Sequence, residues 1–303
     1  MNKKILIIGA AGFIGANLVR YLLYSKNNYS VIGVDRIDNS KNIHNVYTNK
    51  SSDFYIADIC DDSIMNRILE ISRPDIIINL ISEKYSLDSL PSLLSSIFHY
   101  KECCNSNVEF IQLSSVNLYK DEAGVSEGSD LFANRSDEIY GICAETLINN
   151  YCSLYSIPYN IIRSDALFGP RQGDPQNIIT HIYKSYKDEG KVTLFNKGST
   201  KRNLMYIEDF NSAVVNIIES DSKNETYNVS SGSDFTDIEI AFMIKEKFKK
   251  ESEILFSECN LKERYYEVNT DKIRALGWKP KVSIKGRINQ TIDWFEKNPW
   301  FDK

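Results

Sequence analysis

Short apolar runs alternate with longer amphipathic stretches through the first half of the chain. The runs are Ile5–Ile8, Ser30–Val34, Phe54–Ala57, Ile76–Leu80, Phe110–Leu113 and Tyr159–Ile162, several of them almost continuous Ile, Leu and Val. Runs of that kind predict strands buried on both faces of a parallel sheet. Between them Phe13–Tyr24, Ser63–Ile71, Leu90–Cys104 and Tyr140–Tyr155 carry helical spacing. The alternation predicts an α/β fold with a doubly wound parallel sheet. After Arg163 the pattern changes. Gly169, Pro170, Gly173 and Pro175 mark a loop-rich boundary. Beyond it lie the helical stretches Ile178–Lys187, Asp209–Glu219, Asp237–Lys249 and Lys285–Glu296, mixed with short strands. The expected division is a sheet domain over 1–165, with a returning strand near 226–230, and a smaller C-terminal α/β region over 166–303 that holds part of a substrate pocket.

The first strand runs straight into Gly9-Ala-Ala-Gly12-Phe-Ile-Gly15, and a helical pattern follows. Strand, glycine turn and helix together are the context in which such a loop holds a dinucleotide. Gly9 permits the tight turn, Gly12 lets the backbone approach a pyrophosphate, and Gly15 lets helix and strand pack closely. The helix N-terminus then offers free N–H groups and the positive end of its dipole. Asp35 ends the second strand, at the distance where an acid bonds the ribose 2′-hydroxyl of NAD. Arg36 follows it and is suited to a 2′-phosphate, so NADP is the less favoured alternative. The reading is a Rossmann-type, NAD-binding domain.

The spacing G-x-x-G-x-x-G resembles that of the extended short-chain dehydrogenases/reductases, specifically the NAD-dependent epimerase/dehydratase family acting on nucleotide sugars. Further segments carry the same resemblance in the same order. Asp58-Ile59 resembles the family's adenine contact. Arg202-Asn-Leu-Met-Tyr-Ile-Glu-Asp209 resembles R-D-[FW]-x-Y-V-x-D. Asn224-Glu-Thr-Tyr-Asn-Val-Ser-Ser-Gly232 resembles the Y-N-[VI]-G-x-G segment, and Leu276-Gly-Trp-Lys-Pro280 the L-G-W-x-P segment. With Phe13 and Ile14 inside the glycine loop, the implied cofactor contacts are Gly9, Gly12, Phe13, Ile14, Gly15, Asp35, Arg36, Asp58 and Ile59.

The resemblance also implies a catalytic set. Phe110-Ile-Gln-Leu-Ser-Ser115-Val-Asn-Leu-Tyr119 resembles S-S-S-x-x-V-Y-G and places Ser115 at the active-site hydroxyl. Ile139-Tyr140-Gly-Ile-Cys-Ala144 resembles P-Y-G-x-S-K and places Tyr140 at the acid/base. Removing a sugar hydroxyl proton while hydride leaves the same carbon needs a base beside the nicotinamide. A tyrosine serves only if its pKa falls from ~10 towards neutrality. In the family a lysine one helical turn on does this and also holds the nicotinamide ribose. Here that position is Ala144. Without the charge, ~0.1% of an unperturbed tyrosine is ionised at pH 7. Three readings stay open: a weak or inactive relative, an enzyme with a relocated acid/base, or an introduced alanine that traps a complex. The family's substrate-contacting Asn, in R-x-x-N-x-Y-G-P, falls on Ala166. The stretch from Asn79 to Ser114 is short for the family, which loosens the expectation of a homodimer.

Arg202 and Arg264 resemble the family's diphosphate-binding arginines, and guanidinium forks suit phosphate. The implied ligand is a nucleotide-diphospho-sugar. Dehydratases of the family carry Asp-Glu after the catalytic Thr, and decarboxylases need a Glu there. Val116-Asn117 offer no carboxylate. The expectation is therefore C4 epimerisation or ketone reduction. The alternative is a catalytically weak or inactive relative that binds NAD and nucleotide sugar for a regulatory or assembly role.

Composition adds exclusions. Of 303 residues 42% are hydrophobic and 25% charged, with net charge −5 and no basic run, so nucleic acid is not an expected partner. Six cysteines are scattered without a C-x-x-C pair and only three His occur, so no metal site is expected. No leader or membrane-spanning run is evident, and the expected location is cytoplasmic.

Overall fold

The computed structural model describes residues 3–37, 43–47, 52–81, 83–120, 124–248, 252–258, 265–281 and 283–298. The first half holds β1 (Lys4–Ile8), α1 (Phe13–Leu23), β2 (Ser30–Asp35), β3 (Ser52–Ile56), α2 (Asp62–Ser72), β4 (Ile76–Asn79), α3 (Glu83–Cys104), β5 (Glu109–Ser115), α4 (Ser136–Leu154) and β6 (Tyr159–Ser164). There follow β7 (Ala166–Phe168), α5 (Ile178–Glu189), β8 (Lys191–Phe195), β9 (Lys201–Tyr206), α6 (Ile207–Ile218) and β10 (Glu225–Val229). The chain continues through β11 (Asp234–Thr236), α7 (Asp237–Lys245), β12 (Glu253–Ser257), α8 (Asp271–Ala275) and α9 (Ile284–Lys297).

Seven strands form one parallel sheet in the order β10-β6-β5-β4-β1-β2-β3. The expected Rossmann-type α/β architecture is thus present. The apolar runs lack alternation because both faces are covered. Ile5 and Ile7 enter one core with α1 and α6, while Leu6 and Ile8 enter the other with α2, α3 and α4. The first core continues without a break into α5, α7 and α9. Two small sheets lie outside the main one: β11-β9-β7 and β12-β8. No helix among the described residues is long and apolar enough to cross a membrane.

Several helices depart in their bounds from the sequence reading. The helix expected over Leu90–Cys104 is α3, whose backbone starts at Glu83 and carries Pro91 inside it. Helix α4 opens at Ser136, one turn before Tyr140. Asp137 and Glu138 in its first turn complement the helix dipole there. Farther on, α7 ends at Lys245 and not Lys249, which lies outside the described residues.

Two of the distant motifs meet in space. The Trp278 indole N–H donates to the Asp209 carbonyl at 3.0 Å and to Ser212 Oγ at 2.9 Å. The Lys281 N–H donates to Asp209 Oδ1 at 3.0 Å. A left-handed Gly277, φ +87°, turns the chain so that the buried indole reaches α6.

Candidate functional site

The strand order reverses between β1 and β4, the point at which open α/β sheets leave a ligand crevice at their C-terminal edge. Gly9 sits there, left-handed at φ +80°, its N–H donating to the Val34 carbonyl at 2.9 Å. A Cβ on Gly15 would lie 2.1 Å from the Gly9 carbonyl oxygen and 2.7 Å from Ala10 Cα. The first turn of α1 is therefore packed directly on the glycine turn, with no room for a side chain. Gly12 caps α1 without a side chain, and the first turn contains no acidic residue. These are the properties of a cradle for a pyrophosphate: close backbone, positive dipole end, no competing carboxylate. Phe13 and Ile14 are partly buried and pack on the core behind the loop.

Asp35 is held in the same crevice. Its Oδ2 accepts from Ala11 N at 2.9 Å and its Oδ1 from Ile37 N at 3.2 Å. The carboxylate is thereby fixed beside the glycine loop. Arg36 is exposed and donates from Nη1 to Asp58 Oδ2 at 3.2 Å. The Cys60 N–H first, and Arg36 second, hold the Asp58 carboxyl below its usual range. An acid at the end of β2 and a guanidinium already paired with Asp58 favour a ribose hydroxyl over a 2′-phosphate. The residues present around the glycine loop thus fit NAD. Ile59 is buried in the core that holds α2 and α3.

At the end of β5, Ser115 Oγ accepts from Asn117 N at 3.1 Å and opens the 3-10 turn Val116–Leu118. Helix α4, which carries Tyr140, packs against that turn. The structure therefore brings the Ser115 and Tyr140 segments together at the sheet's C-terminal edge. Ala144 is 4% exposed and lies in the core beside Ile148 and Cys152.

One residue along, the buried Glu145 organises a network that sequence reasoning missed. Its Oε1 accepts from Ser114 Oγ at 2.5 Å and from Arg163 Nε at 3.0 Å, and its Oε2 accepts from Arg163 Nη2 at 2.6 Å. Arg163 Nη1 donates to Tyr119 Oη at 2.9 Å, and Tyr119 Oη donates to Asn228 Oδ1 at 2.6 Å. Burial alone pulls the Arg163 pKa down, but Glu145 more than offsets this and the net shift is upward. Removing either charge leaves its partner unpaired in the core. The signal was present in the sequence: an arginine placed directly after the strand run Tyr159–Ile162 demands an acid if it is buried.

Two further acids were missed as well. Asp165, just past β6, is buried, and its Oδ2 accepts from Ser231 N at 3.0 Å. Burial raises its carboxyl to about 6. Asp237, also buried, clamps Arg202: Nε to Oδ1 at 2.5 Å and Nη2 to Oδ2 at 3.1 Å. Arg264 lies outside the described residues. Among the described residues no cluster of three His, Cys, Asp or Glu forms a metal site.

Residues 5–230 match the NAD dependent epimerase/dehydratase family. The chain belongs to that family. The family's cofactor is NAD. The human dTDP-D-glucose 4,6-dehydratase is 24% identical over 98% of this chain and 91% of its own length. The UDP-glucose 4-epimerase of Thermotoga maritima, solved with UDP-glucose, superposes with a TM-score of 0.85 at 24% identity, covering 98% of this chain and 99% of that one. The dTDP-glucose 4,6-dehydratase of Bacillus anthracis, solved with NAD, gives 0.87 at 23% identity, covering 99% of each. At these identities the solved structures establish the fold. The glycine loop, Asp35 and Ser115 stand at the C-terminal ends of β1, β2 and β5, and the helix that carries Tyr140 packs on the turn after Ser115.

Proposed function

We propose that this family member holds NAD on the Gly9–Gly15 loop and carries out C4 epimerisation or ketone reduction of a nucleotide-diphospho-sugar. The observation that supports it is the packing of the Tyr140 helix on the turn that follows Ser115, at the same sheet edge as the glycine loop. In this reading Tyr140 moves the proton of the sugar hydroxyl and Ser115 orients that oxygen. NAD, when bound, supplies the hydride acceptor or donor. Dehydration and decarboxylation need a carboxylate after Ser115, and the chain has the buried Val116 and the exposed Asn117 there. Arg202 and Arg264 are the residues for the diphosphate, and at Arg202 the ligand competes with the Asp237 carboxylate.

A second reading is a relative that binds NAD and a sugar nucleotide without turnover. Ala144 favours it: a small apolar side chain packed in the core puts no cation beside Tyr140. The two readings separate in one experiment. The native protein and an Ala144→Lys variant are given NAD and a panel of UDP-, dTDP-, GDP- and CDP-sugars, and products are read by mass spectrometry and chromatography. Turnover by the native chain supports the first reading. Turnover by the lysine variant alone, or by neither while NAD still binds, supports the second.

A further inference from the structure

Arginines that leave bulk water in this protein take a carboxylate with them. Arg163 pairs with Glu145, Arg202 with Asp237 and Arg287 with Glu208. Arg20 and Arg171 are the two exceptions among the described residues. Both are partly buried, and neither has an acidic partner among the described residues. Arg171 Nη1 makes a single long bond, 3.5 Å to Asn17 Oδ1, and its guanidinium lies 5.4 Å from the Trp294 ring centre. Arg20 spends one nitrogen, Nη1, on the carbonyls of Ala16 and Asn45, at 2.9 and 3.0 Å, and lies 4.8 Å from the Tyr47 ring centre. Nε and Nη2 of both forks have no hydrogen-bond partner among the described residues.

The two groups are neighbours. Asn17 and Arg20 are three residues apart on α1, hence on one face. Asn17 Nδ2 donates to the Pro170 carbonyl at 2.9 Å and so fixes the loop that carries Arg171. Arg171 itself is held left-handed at φ +73°, a conformation that side chains avoid unless the surroundings impose it. Burial first, and the charge of Arg20 second, bring the Arg171 pKa down to about 10. Two desolvated guanidinium forks with aromatic rings beside them and no counter-charge are complementary to a phosphate-like anion.

We propose that Arg20 and Arg171 form a binding site for a small oxyanion of the phosphate class, on the flank of α1 and separate from the glycine loop. Arg20 is seven residues past the helix start, about 10 Å along the axis from the dinucleotide cradle. The site thus binds its anion while NAD is present.

The test is calorimetric titration of inorganic phosphate at constant ionic strength, with and without saturating NAD, alongside thermal melts. The proteins are native, Arg171→Gln, Arg171→Lys and Arg135→Gln, the last an exposed arginine paired with Asp137. Native and Arg135→Gln should bind phosphate with NAD bound. Arg171→Gln should bind at least tenfold more weakly, and Arg171→Lys should fall between. Melts without phosphate establish that each variant is folded. Equal phosphate affinity in Arg171→Gln, loss of phosphate binding on adding NAD, or no binding to the native protein would each overturn the proposal.

Discussion

Gly15→Ala is the smallest change that tests the cradle. The added Cβ would stand 2.1 Å from the Gly9 carbonyl oxygen, 2.7 Å from Ala10 Cα and 2.8 Å from the Gly9 carbonyl carbon. Ordinary contacts are more than an ångström longer at the oxygen. All three atoms belong to backbone that also pairs with β2, through Gly9 and Ala10 N–H bonds to Val34. No flexible side-chain end exists to give way, so the glycine turn and the first turn of α1 must separate by about 1 Å. Overpacking of that kind costs about 1–3 kcal/mol of stability, a fall of several degrees in melting temperature for a chain of this size. The cofactor suffers more, because the displaced atoms are those expected to face its pyrophosphate. A loss of about 3 kcal/mol in binding is ~100-fold in Kd. The assay is calorimetric titration with NAD, paired with thermal melting. Gly128→Ala is the control: its Cβ meets nothing within 4 Å and its φ is not positive. If Gly15→Ala bound NAD within threefold of native, the loop would not be the cradle described.

Two further predictions concern the missed acids. Asp165 has a folded pKa of about 6 against an ordinary 3.8. A raised carboxyl weakens the fold once ionised, so its contribution is favourable below 3.8 and is lost as pH rises through 6. Asp165→Asn should therefore gain stability relative to native by about 1–2 kcal/mol between pH 5 and pH 8, read by urea unfolding at each pH. Parallel curves for the two proteins would mean that the carboxyl is not desolvated as described. Asp237→Asn removes the carboxylate that competes for Arg202 and should tighten UDP binding roughly tenfold, about 1.4 kcal/mol, by calorimetry. Unchanged or weaker binding would place Arg202 outside the diphosphate site.

What the sequence disclosed and what it hid follow from the range of each interaction. Strands with both faces buried announce themselves as unbroken Ile and Val runs, and a glycine that must touch backbone admits no substitute, so the sheet and its loop were readable. The meeting of Trp278 with Asp209 was implied by two motifs but could be placed only by the fold. The charged groups behaved differently. Glu145 and Arg163 are 18 residues apart, and Arg202 and Asp237 are 35 apart. Neither distance is a helical or strand period, so nothing local marks them as partners. Each is visible only as a charge in an apolar context that must find an opposite somewhere. That rule gives the clearest view of this protein's site. Glu145 stands on α4 directly after Ala144, the position that the resemblance matches to the family's lysine, and pairs with Arg163 on β6. It ties Ser114, next to Ser115, to the helix of Tyr140. A charge is therefore invested here in fixing the geometry of the two segments, while Ala144 contributes none to the tyrosine itself. In the proposed reading the site keeps its shape without an electrostatic activator, and for that reason turnover, not fold or cofactor binding, is the measurement that separates enzyme from binding protein.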